Sequence, residues 1–278
     1  MRSRLDPVTV ERLLARLGLR ETPPVSVEGL HTLYRAWCRH VPFDNALRRI
    51  HLAYRHPGPL PGFDPASFVQ TYLRHGAGGT CTPSSGGLHA LLRSLGFTAE
   101  RVLAMMGTED EPLTVPNHTA LLVWLDGATH LVDTSIACEQ ALPLRVTRTV
   151  LDDPLHPVTA SPVMGTWRIR WVRPFNGQRL QCQLLPSPAT TSGLLQVYEA
   201  TRGSEAFNAA LYARLNVEGG IIVVAKAKRF AIDRIGHAQE TMVGGARTRV
   251  LVEEMGFSEE LVAQLPPDVH EVAAPVRR

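Results

Sequence analysis

The chain has 278 residues, 44% hydrophobic and 20% charged, and its 29 Lys+Arg against 26 Asp+Glu leave a formal charge of +3. That composition excludes intrinsic disorder and gives enough chain to bury one large core or several smaller ones. Basic and acidic residues are mixed rather than blocked, so neither a nucleic-acid surface nor a membrane surface is expected.

No apolar run approaches the roughly 18 residues of a membrane span. The N-terminal Met1–Asp6 stretch carries charge with no apolar core behind it, so a secretory signal is not expected. The expected compartment is a reducing cytoplasm, with free thiols. Cys38, Cys81, Cys138 and Cys182 include no CxxC pair, which excludes a zinc ribbon or a small disulfide scaffold.

The first ninety-odd residues read as helices. Asp6 caps the first, with Pro7 opening it, Val10, Leu13, Leu14 and Leu17 on one face, and Gly18 ending it. Ser26 starts a second, with Leu30, Leu33, Tyr34 and Trp37 as its stripe. Asp64-Pro65 starts a third, which turns Val69, Tyr72 and Leu73 to one side. The fourth has Thr82 as its cap, buries Leu88, Leu91, Leu92 and Leu95, and stops at Gly96.

Beyond Gly96 the apolar period changes from 3.6 to 2. Arg101–Met105 reads as a strand, and Thr119–Leu125 with His130–Val132 as a hairpin around Asp126-Gly127. A second hairpin turns at Asn176-Gly177, between Trp167–Trp171 and Arg179–Leu185. Such strands predict a small antiparallel barrel or sandwich. Pro186–Gly193 is the expected linker, followed by a helical stretch near Phe207–Leu215, a β run over Gly220–Ala231 and a helix-turn-helix around Gly256-Phe257-Ser258.

Several chemistries are set aside. Gly76–Cys81 lacks the third glycine of a dinucleotide loop and follows a helix, and no GxxxxGK[ST] is present. Thr82–Gly86 lacks the first glycine of a nucleophile elbow. None of the eleven histidines sits in an HExxH pattern, so neither a metal nor a bound cofactor is expected.

Cys81 follows a glycine pair and adjoins a helix start. A thiol there feels the positive end of the helix dipole and nearby free N–H groups, both of which favour the thiolate. The glycines let backbone approach a reacting carbonyl and offer oxyanion donors. A small packed cysteine is the competing reading. With a two-residue turn at Asp126-Gly127, the partner of His118 is residue 135, so Asp133 projects from the same face. The carboxylate would then fix the imidazole tautomer and stabilise the imidazolium. Taken singly, His118 and Asp133 read as ordinary strand-end residues; with Cys81 they read as a nucleophile, base and orienter. Cys38, Cys138 and Cys182 read as packing.

At this point the sequence resembles the arylamine N-acetyltransferases. The likeness is carried by Leu33–Trp37, Val41-Pro42-Phe43-Asp44-Asn45, Gly78-Gly79-Thr80-Cys81, Gly87-Leu88, Leu95-Gly96-Phe97, Asn117–Val123 and Leu131-Val132-Asp133. A weaker likeness covers Ser204–Phe207. Most of it lies in the first 135 residues.

The resemblance implies an α+β fold with a cysteine-protease-like core: an N-terminal helical bundle (1–96), an antiparallel β-barrel (97–186) and a C-terminal α/β lid (187–278). It implies a ping-pong N-acyltransferase, with Cys81 as nucleophile, His118 as proton shuttle and Asp133 as orienter. Phe43, Thr80, Ile136 and Phe207 would line the substrate pocket. The cosubstrate would be acetyl-CoA or another acyl thioester, with no permanently bound cofactor, and the other partner a small amine. The alternatives are an amide synthase fed by an acyl carrier protein, a thiol hydrolase with the same triad, and a binding module that keeps the triad as a relic. Around the triad the sequence departs from the family pattern: Ala77 stands for an arginine, Thr80 for an aromatic, Pro83 for an acid, Ser85 for an asparagine and Ile136 for a phenylalanine.

Overall fold

A computed structural model describes residues 4–111, 115–243 and 245–269; Met1–Ser3 of the N-terminal stretch discussed above lies outside them. The three capping residues expected for the first helices are all in place. Asp6 accepts from Thr9 N at 3.0 Å and starts α1 (Pro7–Arg16). Ser26 accepts from Gly29 N at 3.1 Å and starts α2 (Val27–His40). A short strand β1 (Phe43–Asp44) and a helix α3 (Ala46–Ala53) follow, neither of them expected. Asp64 then caps α4 (Pro65–His75), and α5 runs over Cys81–Ser94.

The cap of α5 differs from the expected one. Thr80 holds the capping position, Cys81 is the first helical residue and Pro83 the third. The apolar stripes of α1, α2, α4 and α5 bury Leu13, Leu17, Leu30, Leu33, Trp37, Val69 and Leu88 in one core with the inner face of the first large sheet. Burial of these side chains contributes about 1.5–3 kcal/mol each and outweighs the modest helix propensities.

That sheet has eight antiparallel strands: β2 (Thr98–Thr108), β3 (His118–Leu125), β4 (Ala128–Val132), β5 (Leu142–Leu144), β6 (Thr149–Leu151), β7 (Val158–Val163), β8 (Thr166–Val172) and β9 (Arg179–Pro188). Their order is β5-β4-β3-β2-β9-β8-β7-β6, so the two edge strands are neighbours in sequence and also approach each other in space. The sheet is a nearly closed barrel.

The expected linker is occupied: β9 runs through Pro188, and α6 (Thr191–Ala200) begins once Thr190 accepts from Gly193 N at 3.1 Å. The stretch expected to be helical near Phe207–Leu215 divides into a single turn, α7 (Glu205–Asn208), and β10 (Tyr212–Val217). Its apolar residues pair as strand because Leu215 and Ala213 face a buried partner across the sheet. β10 joins β11 (Gly220–Ala225), β12 (Lys228–Asp233) and β13 (His237–Thr241), and β1 completes this sheet at its other edge. The closing helical segment comprises α8 (Ala246–Arg249), a π-helical turn over Val250–Glu254 and α9 (Glu259–Val262). Its Leu251, Met255 and Phe257 pack on that sheet.

Candidate active site

The β3–β4 hairpin has the register expected from its Asp126-Gly127 turn, with Leu125 opposite Ala128 and Leu121 opposite Val132. His118 opens β3 and Asp133 follows β4, so both side chains leave the same face. The His118 Nε2–H donates to Asp133 Oδ2 at 2.6 Å. The second carboxylate oxygen accepts from Ser135 N at 2.9 Å, Ser135 Oγ at 2.7 Å and Ile136 N at 3.2 Å. Both carboxylate oxygens of Asp133 are thus engaged, which fixes the ring it holds. Asn117 pins the entry to β3, accepting from Met106 N at 2.7 Å and donating to Met106 O at 2.8 Å.

Cys81 comes to this pair from α5, which packs across β2 and β3. The glycine before the thiol is needed for space: a Cβ on Gly78 would lie 1.9 Å from the Pro42 carbonyl oxygen. Asp44 holds the same loop by accepting from Gly78 N at 2.8 Å and Ala46 N at 2.9 Å. Cys81 is 7% exposed, His118 0% and Asp133 2%, so the trio is almost dry.

Burial sets the electrostatics and is then overridden. Desolvation opposes ionisation of the Cys81 thiol, but the adjacent imidazole and the Thr119 backbone N–H hold its pKa below the ordinary thiol value. Desolvation would likewise depress His118; the Asp133 carboxylate reverses this and raises it to about 10. Asp133 is held below the usual carboxylate range against its own burial, chiefly by the imidazole charge. His118 Nδ1 makes no regular hydrogen bond and is the nitrogen left for the thiol proton. The three groups can therefore rest as thiolate, imidazolium and carboxylate.

The other three cysteines are buried and free. Burial pushes the Cys138 thiol up to about 11 and raises Cys38 and Cys182 as well. Among the described residues, no group of three or more His, Cys, Asp or Glu side chains could hold a metal ion.

The expected pocket residues surround this point unevenly. Thr80 is buried immediately before the thiol, and its side chain does not cap α5, leaving the Cys81 and Thr82 N–H groups clear of it. Phe43 bridges to Gly79 and meets Tyr212 edge-on, with centroids 6.2 Å apart. Ile136 is buried on the Asp133 turn. Phe207 lies on α7, with its carbonyl accepting from Asn45 Nδ2 at 2.9 Å. Among the described residues, no ring pairing joins Phe43 to Phe207.

Two nearby residues escaped the sequence reading. Tyr34 reads as core, yet its hydroxyl donates to the Asp133 carbonyl at 2.6 Å and accepts from Cys138 N at 3.2 Å. Arg48 sits buried in the unexpected α3, where the only sequence signal was an arginine pair inside an otherwise apolar Ala46–Ile50 run.

Residues 26–156 match the sequence model of a family described as N-acetyltransferase. An arylamine N-acetyltransferase of Mycolicibacterium smegmatis is 29% identical over 125 residues. Over this stretch, just under half of its length, the chain is similar to N-acetyltransferases. The match to the M. smegmatis relative spans 43% of this chain and 43% of that protein's length. In fold the likeness extends over almost the whole chain. The arylamine N-acetyltransferase of M. tuberculosis is similar at a TM-score of 0.77 with 19% identity, covering 94% of this chain and 95% of that one. A Mycobacterium smegmatis N-arylamine acetyltransferase is similar at 0.80 with 17% identity, covering 95% and 99%. The M. marinum arylamine N-acetyltransferase in complex with CoA is similar at 0.78 with 17% identity, covering 92% and 94%. Helical bundle, barrel and C-terminal α/β layer thus match the fold of these solved structures, as expected from the resemblance.

Proposed function

We propose that the chain is a cysteine-dependent N-acyltransferase that moves an acetyl group from acetyl-CoA to an arylamine through an acyl thioester on Cys81. The observation that carries this reading is the 2.6 Å His118–Asp133 hydrogen bond, buried beside a thiol at the start of α5. The match to the N-acetyltransferase model supports acetyl transfer, and the structural likeness to the M. marinum enzyme in complex with CoA supports the choice of donor.

The cycle has two halves. Cys81 passes its proton to His118 Nδ1, and the thiolate attacks the thioester carbonyl carbon. The oxyanion that forms meets the N–H groups at the start of α5. As it collapses, the carbon–sulfur bond to CoA breaks, and the leaving thiolate takes the proton from His118. The amine nitrogen then attacks the acyl-Cys81 carbonyl, gives a proton to His118 and displaces Cys81. An amide leaves, and the thiol is restored. Asp133 keeps Nε2 protonated throughout, so Nδ1 is the atom that exchanges protons.

The near-complete burial of Cys81 and His118 favours amine over water as acceptor, which sets transfer above thiol hydrolysis. Incubation with acetyl-CoA followed by intact mass measurement tests the reading. Wild type is expected to gain one acetyl group and Cys81→Ala none. No adduct in wild type, or equal labelling of the alanine variant, would overturn it.

A further inference from the structure

α3 carries two adjacent arginines, Arg48 and Arg49, and both are 3% exposed. Arg49 has its counter-ion: Nη1 lies 2.9 Å from Asp268 Oδ1. Among the described residues, Arg48 is held by neutral acceptors alone. Its Nε donates to Asn208 Oδ1 at 2.8 Å, Nη1 to Thr201 Oγ1 at 2.9 Å, and Nη2 to the Thr201 carbonyl. Among the described residues no carboxylate lies within ion-pair distance of it. Glu199, whose charge reaches it, is engaged with Arg202 at 2.7 Å and Leu60 N at 2.6 Å.

The position of this cation is specific. Its guanidinium lies over the Phe207 ring, 5.3 Å from the centroid. It borders a small void, about 10 Å³, together with Asp44, Thr80, Pro83 and Tyr198, and Thr80 directly precedes the thiol. Asp44 is not its partner: its oxygens are taken by the N–H groups of Gly78 and Ala46, and burial lifts its pKa to about 7. The Cys81 charge reaches Arg48 without touching it, and a buried guanidinium with no anion in contact is unfavourable, because its desolvation is not fully repaid. Among the described residues, three of its five N–H groups have acceptors, and the other two suit a planar, two-oxygen acceptor.

We propose that Arg48 is a specificity residue that selects a substrate bearing a carboxylate, carried either by the acceptor amine or by the transferred acyl group. The proposal rests on the acyl-transfer reading and narrows its substrate class. The incoming carboxylate supplies the missing counter-ion, while Phe207 keeps the guanidinium plane in place. A neutral isostere leaves the cation uncompensated and is turned over more slowly.

Matched pairs separate the two sources of the carboxylate. With acetyl-CoA as donor, 3- and 4-aminobenzoate are compared with the corresponding aminobenzamides. With aniline as acceptor, succinyl-CoA is compared with butyryl-CoA. Wild type is expected to favour the charged member of one arm by at least about tenfold in kcat/KM. Arg48→Met is expected to abolish that preference while still turning over the neutral member, and Arg48→Lys to retain part of it. The neutral isostere is thus an internal control for folding. No charge preference in either arm of wild type, or equal slowing of charged and neutral partners in Arg48→Met, would overturn the proposal. Intact mass in the same samples keeps the two claims apart. Acyl-Cys81 formed without charge preference overturns only the role of Arg48, whereas no acyl-Cys81 with any of the three thioesters overturns the acyl-transfer reading as well.

Discussion

At Cys81 two opposing effects of burial meet. A dry thiol resists ionisation, and Cys38, Cys138 and Cys182 show that outcome. Cys81 escapes it because His118, itself held as a cation by Asp133, lies alongside. Its lowered pKa keeps the thiolate present as pH falls below the normal thiol range, and the thiolate is lost only at more acidic pH. Iodoacetamide titration followed by peptide mapping should therefore label Cys81 first, at a rate that is already high at pH 7. In Asp133→Asn the midpoint should move up by at least about one pH unit, because the imidazolium loses its counter-charge. Equal labelling of all four cysteines, or an unmoved midpoint in the variant, would contradict this account.

At the scale of elements, the helices whose caps are spelled in the sequence stand where expected, since Asp6, Ser26 and Asp64 each bond the N–H three residues on. The Asp126-Gly127 turn was equally legible, and with it the face shared by His118 and Asp133. What the sequence hid depends on tertiary contact. α3 has no side-chain cap, and its polar residues are buried by partners far along the chain, as in the Arg49 bond to the Pro267 carbonyl, 218 positions on. β1 is two residues long and is set by pairing with β10 and by the Phe43 bridge to Gly79. Phe207–Leu215 looked helical because period 2 and period 3.6 are hard to separate over so short a run. The Asp133 turn keeps Ala137 in the left-handed region at φ +50°, a conformation that favours glycine. One element-scale consequence concerns the Arg49–Asp268 pair, which ties α3 to the C-terminal segment with both side chains 2% exposed. Asp268→Asn removes the carboxylate that faces the buried Arg49 guanidinium and should cost about 3–5 kcal/mol in chemical denaturation. A loss below about 1 kcal/mol would show that the pair does not hold the two segments together.

Across the whole molecule, the candidate site gathers residues from every part of the chain. The thiol comes from the helical bundle, the imidazole and carboxylate from the barrel, and Arg48 with Phe207 from the contact between α3 and the segment after β9. β1 belongs by sequence to the helical part and by pairing to the C-terminal sheet, so the loop leading to Cys81 is fastened to both. In the proposed reaction, the burial of Cys81 and His118 would keep water from the acyl thioester while it waits for an amine. That waiting intermediate is the central claim, and it is tested most directly by rapid mixing of the protein with acetyl-CoA in the absence of any amine, with a thiol reagent reporting free CoA. The account predicts a burst of about one CoA per chain, absent in Cys81→Ala, followed by further release only when an arylamine is added. CoA release that requires the amine from the outset, or a burst that survives loss of Cys81, would contradict it.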